Sequence, residues 1–240
     1  MRYSHLTFAA LMLAGATPAF AQDVTDPAPP ITISGGAAVV SDYRFRGFSQ
    51  SNEEAAIQGS IGIEHESGFY LGTWGSSIGF ANGTEIDFFG GYATEVAPGI
   101  GFDIGATYYA YPGGGADVDI IEPYVALTGE LGPVSTKLGL AYAPAQESLG
   151  DESSVYIYTD LGTALPGTPI ALSAHLGYAE SDSFLGGPDG DVFDYSIGAS
   201  VTYSALTLGV AYVNTDVDES LGKEALGADG GVVFSLSASF

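Results

Sequence analysis

Carboxylates dominate the chemistry open to this chain. Its 240 residues hold 29 Asp and Glu against 5 Lys and Arg, a formal charge of −24, with 3 His and no Cys. Without thiols there is no cysteine nucleophile, no thiolate zinc or iron–sulfur site and no disulfide. A surface this acidic repels phosphate backbones, which excludes nucleic acid as a partner. The acids recur two residues apart, Glu64 with Glu66 and Glu85 with Asp87, and Asp42 is followed at the same interval by Arg44 and Arg46. Two carboxyls that hydrolyse a glycoside must flank the bond from opposite sides. Side by side on one face of a strand, they instead set up a field that gathers cations. Asp216, Asp218 and Glu219 fall short of a calcium loop. No metal or cofactor is expected.

The elements that position these acids follow from apolar periodicity. Hydrophobic residues make up 46% of the chain and charged residues 14%, too apolar for a disordered acidic chain. From Ile31 onward apolar residues recur at period two, with Gly and Pro between stretches, which predicts strands throughout. The first stretch runs from Ile31 through Phe45 and places Arg44 and Arg46 on its polar face. Over Phe69 to Ile78 the phase is ambiguous, because Phe69 and Leu71 compete with Tyr70 and Trp74. Counting to the C-terminus gives twelve strands, joined alternately by short turns such as Ser67-Gly68 and Gly132-Pro133 and by longer polar loops. That asymmetry predicts an all-β fold, an antiparallel transmembrane β-barrel of about twelve strands with both termini periplasmic.

A soluble sandwich alternates in the same way, so the two faces decide. Tyr43, Tyr108, Tyr142, Tyr178 and Tyr212 fall on the apolar face near the loop ends, as an aromatic girdle would, with Tyr203 and Phe240 at the opposite rim. Nine residue steps, as from Pro133 to Tyr142, rise roughly 23 Å at the usual tilt, about the height of an outer-membrane apolar band. The polar face carries Asp42, Glu64, Glu85, Asp87, Asp103, Glu122, Asp160, His175 and Asp194 against Arg44, Arg46 and Lys137. Those residues are the expected pore lining. Charges like these would be costly in a sandwich core. An acidic lumen of this width predicts a narrow channel that favours cationic or neutral solutes, with Arg44 and Arg46 opposing Glu85 and Asp87 across a constriction.

The ends assign compartments. Residues 1–21 read as an export signal, an apolar run from Leu6 followed by Ala19-Phe20-Ala21; residues 22–30 as a short periplasmic lead-in; residues 31–240 as the outer-membrane barrel. Lipid and lipopolysaccharide are then the surrounding partners, with divalent cations bridging acidic loops to phosphates. The terminal strand ending at Phe240 would engage the barrel-assembly machinery. A lipid hydrolase would need a Ser oriented by His on the outward, loop-side half. His65 falls at the turn side and His175 points inward, so no enzyme is expected; the alternative to a channel is a non-conducting structural or adhesive barrel.

The stretch Ser41 to Ser76, SDYRFRGFSQSNEEAAIQGSIGIEHESGFYLGTWGS, resembles the opening of the TorF-like porin family, proteobacterial outer-membrane proteins of Gram-negative cells. Ala55 departs from it, standing where a Pro-Ala-x-Gln-Gly pattern would carry proline. The resemblance implies a barrel and a passive pore.

Overall fold

A computed structural model describes residues 30–114 and 118–240. The expected export signal and the lead-in up to residue 29 lie outside them. In chain order the strands are β1 Ile31–Val40, β2 Arg44–Phe45, β3 Phe48–Ser49, β4 Ala56–His65, β5 Phe69–Ser77, β6 Thr84–Ala97, β7 Ile100–Ala110, β8 Ile120–Leu131, β9 Val134–Gln146, β10 Glu152–Ala164, β11 Ile170–Ser181, β12 Asp191–Tyr203, β13 Leu206–Thr215 and β14 Gly231–Ser239. All except β2 and β3 form one closed antiparallel barrel, in which β1 pairs with both β4 and β14. β2 and β3 pair only with each other. Among the described residues no helix is long and apolar enough to cross a membrane; the barrel strands are of crossing length.

Period-two alternation puts the apolar set outside. Ile57 is 70% exposed, Leu138 55% and Ile197 65%, at points spread around the ring. An apolar belt encircling a barrel is the surface that hydrocarbon covers, and closure removes the unpaired strand edges that lipid could not satisfy. Tyr108, Tyr142, Tyr178 and Tyr212 are exposed on this outer face toward the loop ends, with Tyr203 and Phe240 at the turn end. The phase of β5 is settled by burial: Tyr70 and Trp74 point inward, Phe69 and Leu71 outward.

Two expectations are corrected. The first strand stops at Val40, and Arg44 and Arg46 belong to the following hairpin instead of the barrel wall. Tyr43 is no girdle residue; it is 3% exposed, donates to Glu85 Oε1 at 2.8 Å and packs edge-on to Trp74 inside the barrel. The cause lies at Ser41, whose N–H donates to Phe234 O and whose Oγ accepts from Phe234 N, ending the pairing of β1 with β14 and turning the chain inward.

The barrel closes where its two ends meet. β1 and β14 pair over Gly36–Val40 only, whereas β1 and β4 pair from Ile31 to Val40. Gly35 and Phe240 extend the short seam by exchanging both backbone hydrogen bonds, each 3.0 Å. The Phe240 ring lies over Gly35, where a Cβ would come within 2.8 Å of it.

Candidate functional site in the barrel lumen

The first loop crosses the lumen. Phe45 faces Phe48 across a two-residue turn formed by Arg46 and Gly47, with φ of 49° and 87°. Positive φ at both centres is the geometry of a tight hairpin turn whose twist matches its strands. Gly47 is required twice, for its φ and because a Cβ there would lie 2.3 Å from Thr215 Cγ2 of β13. Arg46 reaches furthest, to Glu122 of β8 and the ring of Tyr156 of β10. These strands flank β9, which stands diametrically opposite β1 in the ring. Among the described residues, a ring from this hairpin packs against each of three buried clusters. Phe45 packs against the cluster around Tyr43 and Trp74 and against that around Tyr109 and Leu149, and Phe48 against that around Val192 and Ala228.

Arg44 fastens the base of the hairpin. Its Nη1 donates to Gly227 O and Asp229 O, both at 2.9 Å, and its Nε pairs with Asp42, tying the first loop to the last. Ser49 N–H adds a bond to Gly227 O at 2.7 Å. On the outer side of this junction the Asp229 carboxylate, hydrogen-bonded to Glu53, raises the Glu53 carboxyl above its ordinary value. Elsewhere in the last loop, Asp218 accepts from Ser220 N–H and is lowered by it, so this acid serves as a local cap.

Beneath the hairpin one stretch of wall is aromatic and charged. Inward tyrosines lie flat over glycines directly across the strand pair: Tyr70 over Gly91, Tyr124 over Gly105, Tyr158 over Gly139. Laid on the wall, the rings bury apolar area without filling the bore, and their hydroxyls meet the acids. Tyr70 donates to Asp103 at 2.5 Å and also pairs with Tyr124; Tyr156 donates to Asp194 at 3.0 Å and pairs with His175 Nε2 at 2.8 Å. His175 Nδ1 meets Asp160 at 2.6 Å, and the Lys137 ammonium sits 5.7 Å from the Tyr158 ring centroid. The opposite wall carries small residues, with a recess formed by Ser173, Ser200, Thr207, Gly209, Ser235 and Ser237.

The expected lining residues therefore fall into two layers. Asp42, Glu85, Asp87, Glu122 and Asp194 are buried toward the loop end, Asp42 paired with Arg44 and Glu122 with Arg46; Asp103, Lys137, Asp160 and His175 lie toward the turn end, and Glu64 is close to the turn itself. The expected opposition of Arg44 and Arg46 to Glu85 and Asp87 is corrected: Arg46 pairs with Glu122, while Glu85 is taken by Tyr43. The lining expected from the sequence omits Trp74 and the inward tyrosines 70, 109, 124, 156 and 158. Parity with Glu122 and Asp160 sets Tyr124, Tyr156 and Tyr158 on the polar face and parity with Asp103 does so for Tyr109, whereas β5 has no acid to fix the phase of Tyr70 and Trp74. His65 bonds Ser67 within its own turn, exposed at the turn end, and among the described residues no cluster has the makeup of a metal site.

The family described as "Bacterial protein of unknown function (Gcw_chp)" matches residues 24–240. The chain belongs to this family. No curated protein sequence matches it. Among solved structures this Gcw_chp barrel is similar to the KdgM porin, with TM-score 0.60 at 8% identity over 86% of this chain and 98% of that one. The NanC porin gives TM-score 0.59 at 8% identity over 87% and 99%. The COG4313 outer membrane channel from Pseudomonas putida F1 gives 0.50 at 11% over 89% and 98%. At these identities the likeness is one of fold: a closed antiparallel β-barrel of the kind those outer-membrane proteins have.

Proposed function

We propose that the protein is an outer-membrane channel of the TorF-like porin type, passing small cationic or neutral solutes by diffusion. One observation carries this reading. Asp160 points inward, yet its side chain is 39% exposed, so the lumen beyond the hairpin holds water. Carboxylates beside that water concentrate cations and repel anions, more strongly because the barrel wall has a low dielectric constant. In this reading residues 1–21 direct export and are removed, both termini face the periplasm, the acidic loops meet lipopolysaccharide, and the strand ending at Phe240 engages the assembly machinery.

The buried tip of the hairpin favours a second reading, a barrel that stays closed and serves as structure. Planar-bilayer recording separates the two. The channel reading expects discrete conductance steps and, in a salt gradient, a reversal potential of cation sign; a refolded barrel that never conducts supports the structural reading.

A further inference from the structure

The groups around the guanidinium of Arg46 come from three barrel strands. Its Nη2 donates to Glu122 Oε1 on β8 at 2.6 Å, with the two side chains 7% and 6% exposed. The other oxygen of Glu122 accepts from Tyr109 OH on β7 at 3.1 Å, so the carboxylate is held from both sides. The Arg46 Cζ stands 4.0 Å from the centroid of Tyr156 on β10. A fixed carboxylate at the edge of the planar cation and an aromatic ring against its face are the contacts by which a protein binds a guanidinium from solution.

The present occupant is tethered, and its fit is incomplete. Arg46 Nη1 is buried with no hydrogen-bond partner among the described residues. The backbone at Arg46 sits in the left-handed region that disfavours a residue bearing a Cβ. The hairpin that delivers it pairs with no barrel strand. The seat therefore outlasts its occupant: β7, β8 and β10 hold it whether or not the loop is in place.

We propose that Glu122, Tyr109 and Tyr156 form a guanidinium-binding site in the lumen, that Arg46 fills it in the closed arrangement, and that a free guanidinium-bearing solute competes for the seat and releases the hairpin. The proposal rests on the channel reading and narrows its solute class to planar cations with a hydrogen-bonding fork. An ammonium of equal charge lacks that fork and binds as a point charge. A short tether supplies its ligand at an effective concentration in the millimolar range, so millimolar free guanidinium is enough to compete.

The test is bilayer conductance of the refolded protein, titrated with guanidinium chloride or arginine against ammonium and potassium chloride at matched ionic strength. Guanidinium should raise the current with a millimolar midpoint, and ammonium should not. Arg46→Ala should conduct fully from the start and gain no further current from guanidinium, Arg46→Lys should open at lower guanidinium, and Glu122→Gln should be open and unresponsive. Heat-modifiable migration on gels checks that each variant has folded. Equal responses to ammonium and guanidinium overturn the site. A guanidinium-driven rise in current that persists undiminished in Arg46→Ala overturns it too, while leaving the channel reading standing; folded barrels that are silent in every variant overturn the channel reading itself.

Discussion

Glu122 and Asp160 both point into the lumen, yet the Glu122 side chain is 6% exposed and that of Asp160 39%. Both stand on barrel strands among aromatic neighbours. What differs is the first loop, which covers the loop-end half and leaves the turn-end half open. Glu85, Asp87 and Asp194, at 2%, 3% and 3% exposure, share the covered half. In the channel reading the barrel wall encloses the path and the barrier is concentrated in a few residues that belong to no barrel strand.

The largest expected effect comes from making that cover irreversible. A Cβ on Gly227 would lie 3.1 Å from Ser49 Cβ, a few tenths of an ångström inside the span of about 3.5–4.5 Å between disulfide-linked Cβ atoms. In a chain without cysteine, Ser49→Cys with Gly227→Cys should clamp the first loop to the last. In millimolar guanidinium, oxidation should hold the current at its closed level and dithiothreitol should raise it several-fold; indifference to redox state would mean that the hairpin is not the barrier.

A smaller effect should separate the two walls below the hairpin. A Cβ on Gly139 would sit 2.2 Å from Tyr158 Cζ, so Gly139→Ala must lift the ring into the bore, with an overpacking cost of about 1–3 kcal/mol. Lower unit conductance together with earlier thermal unfolding is the expected result. On the small-residue wall, a Cβ on Gly209 would meet only the Ser235 hydroxyl at 2.5 Å, a group that rotates away, so Gly209→Ala should change neither measurement appreciably.

The smallest effect is one of pH. The Glu53 carboxyl is raised by Asp229 beside it, with Arg44 opposing and Asp42 reinforcing the shift. A raised carboxyl binds its proton more tightly when the two loops are together. Their pairing is therefore strongest below the ordinary carboxylate value and weakens as pH rises through the raised one. Open probability should fall modestly on acidification, and Glu53→Gln should flatten that dependence; a profile unchanged by the substitution removes Glu53 from the closure.

Much of this was legible in the chain. Alternation at period two places Phe88, Ile104, Ile157 and Leu208 outside and Glu122, Asp160 and Asp194 inside, because a strand has only two faces and water and lipid each claim one. The same regularity misled at the end of β1. Asp42, Arg44 and Arg46 continue the alternation after the chain has left β14 at Ser41, and a polar hairpin inside a lumen is selected for the same polarity as a lumen wall. A turn signal was present in Arg46-Gly47 between two phenylalanines, the pattern of a two-residue hairpin. The site at Glu122 was not legible, since Tyr109, Glu122, Tyr156 and Arg46 lie on four segments joined only by barrel closure and the inward fold of a loop.

The short join between Gly36–Val40 and β14 has a bearing on biogenesis. It brings together the earliest and latest segments of the cylinder to leave the ribosome. No wall can seal while the final strand is missing, and a chain cut short in β14 would present β1 with unsatisfied backbone amides and carbonyls in oil. Closure is thereby tied to topology: a chain that lacks β14 leaves the cylinder open along β1 and β13.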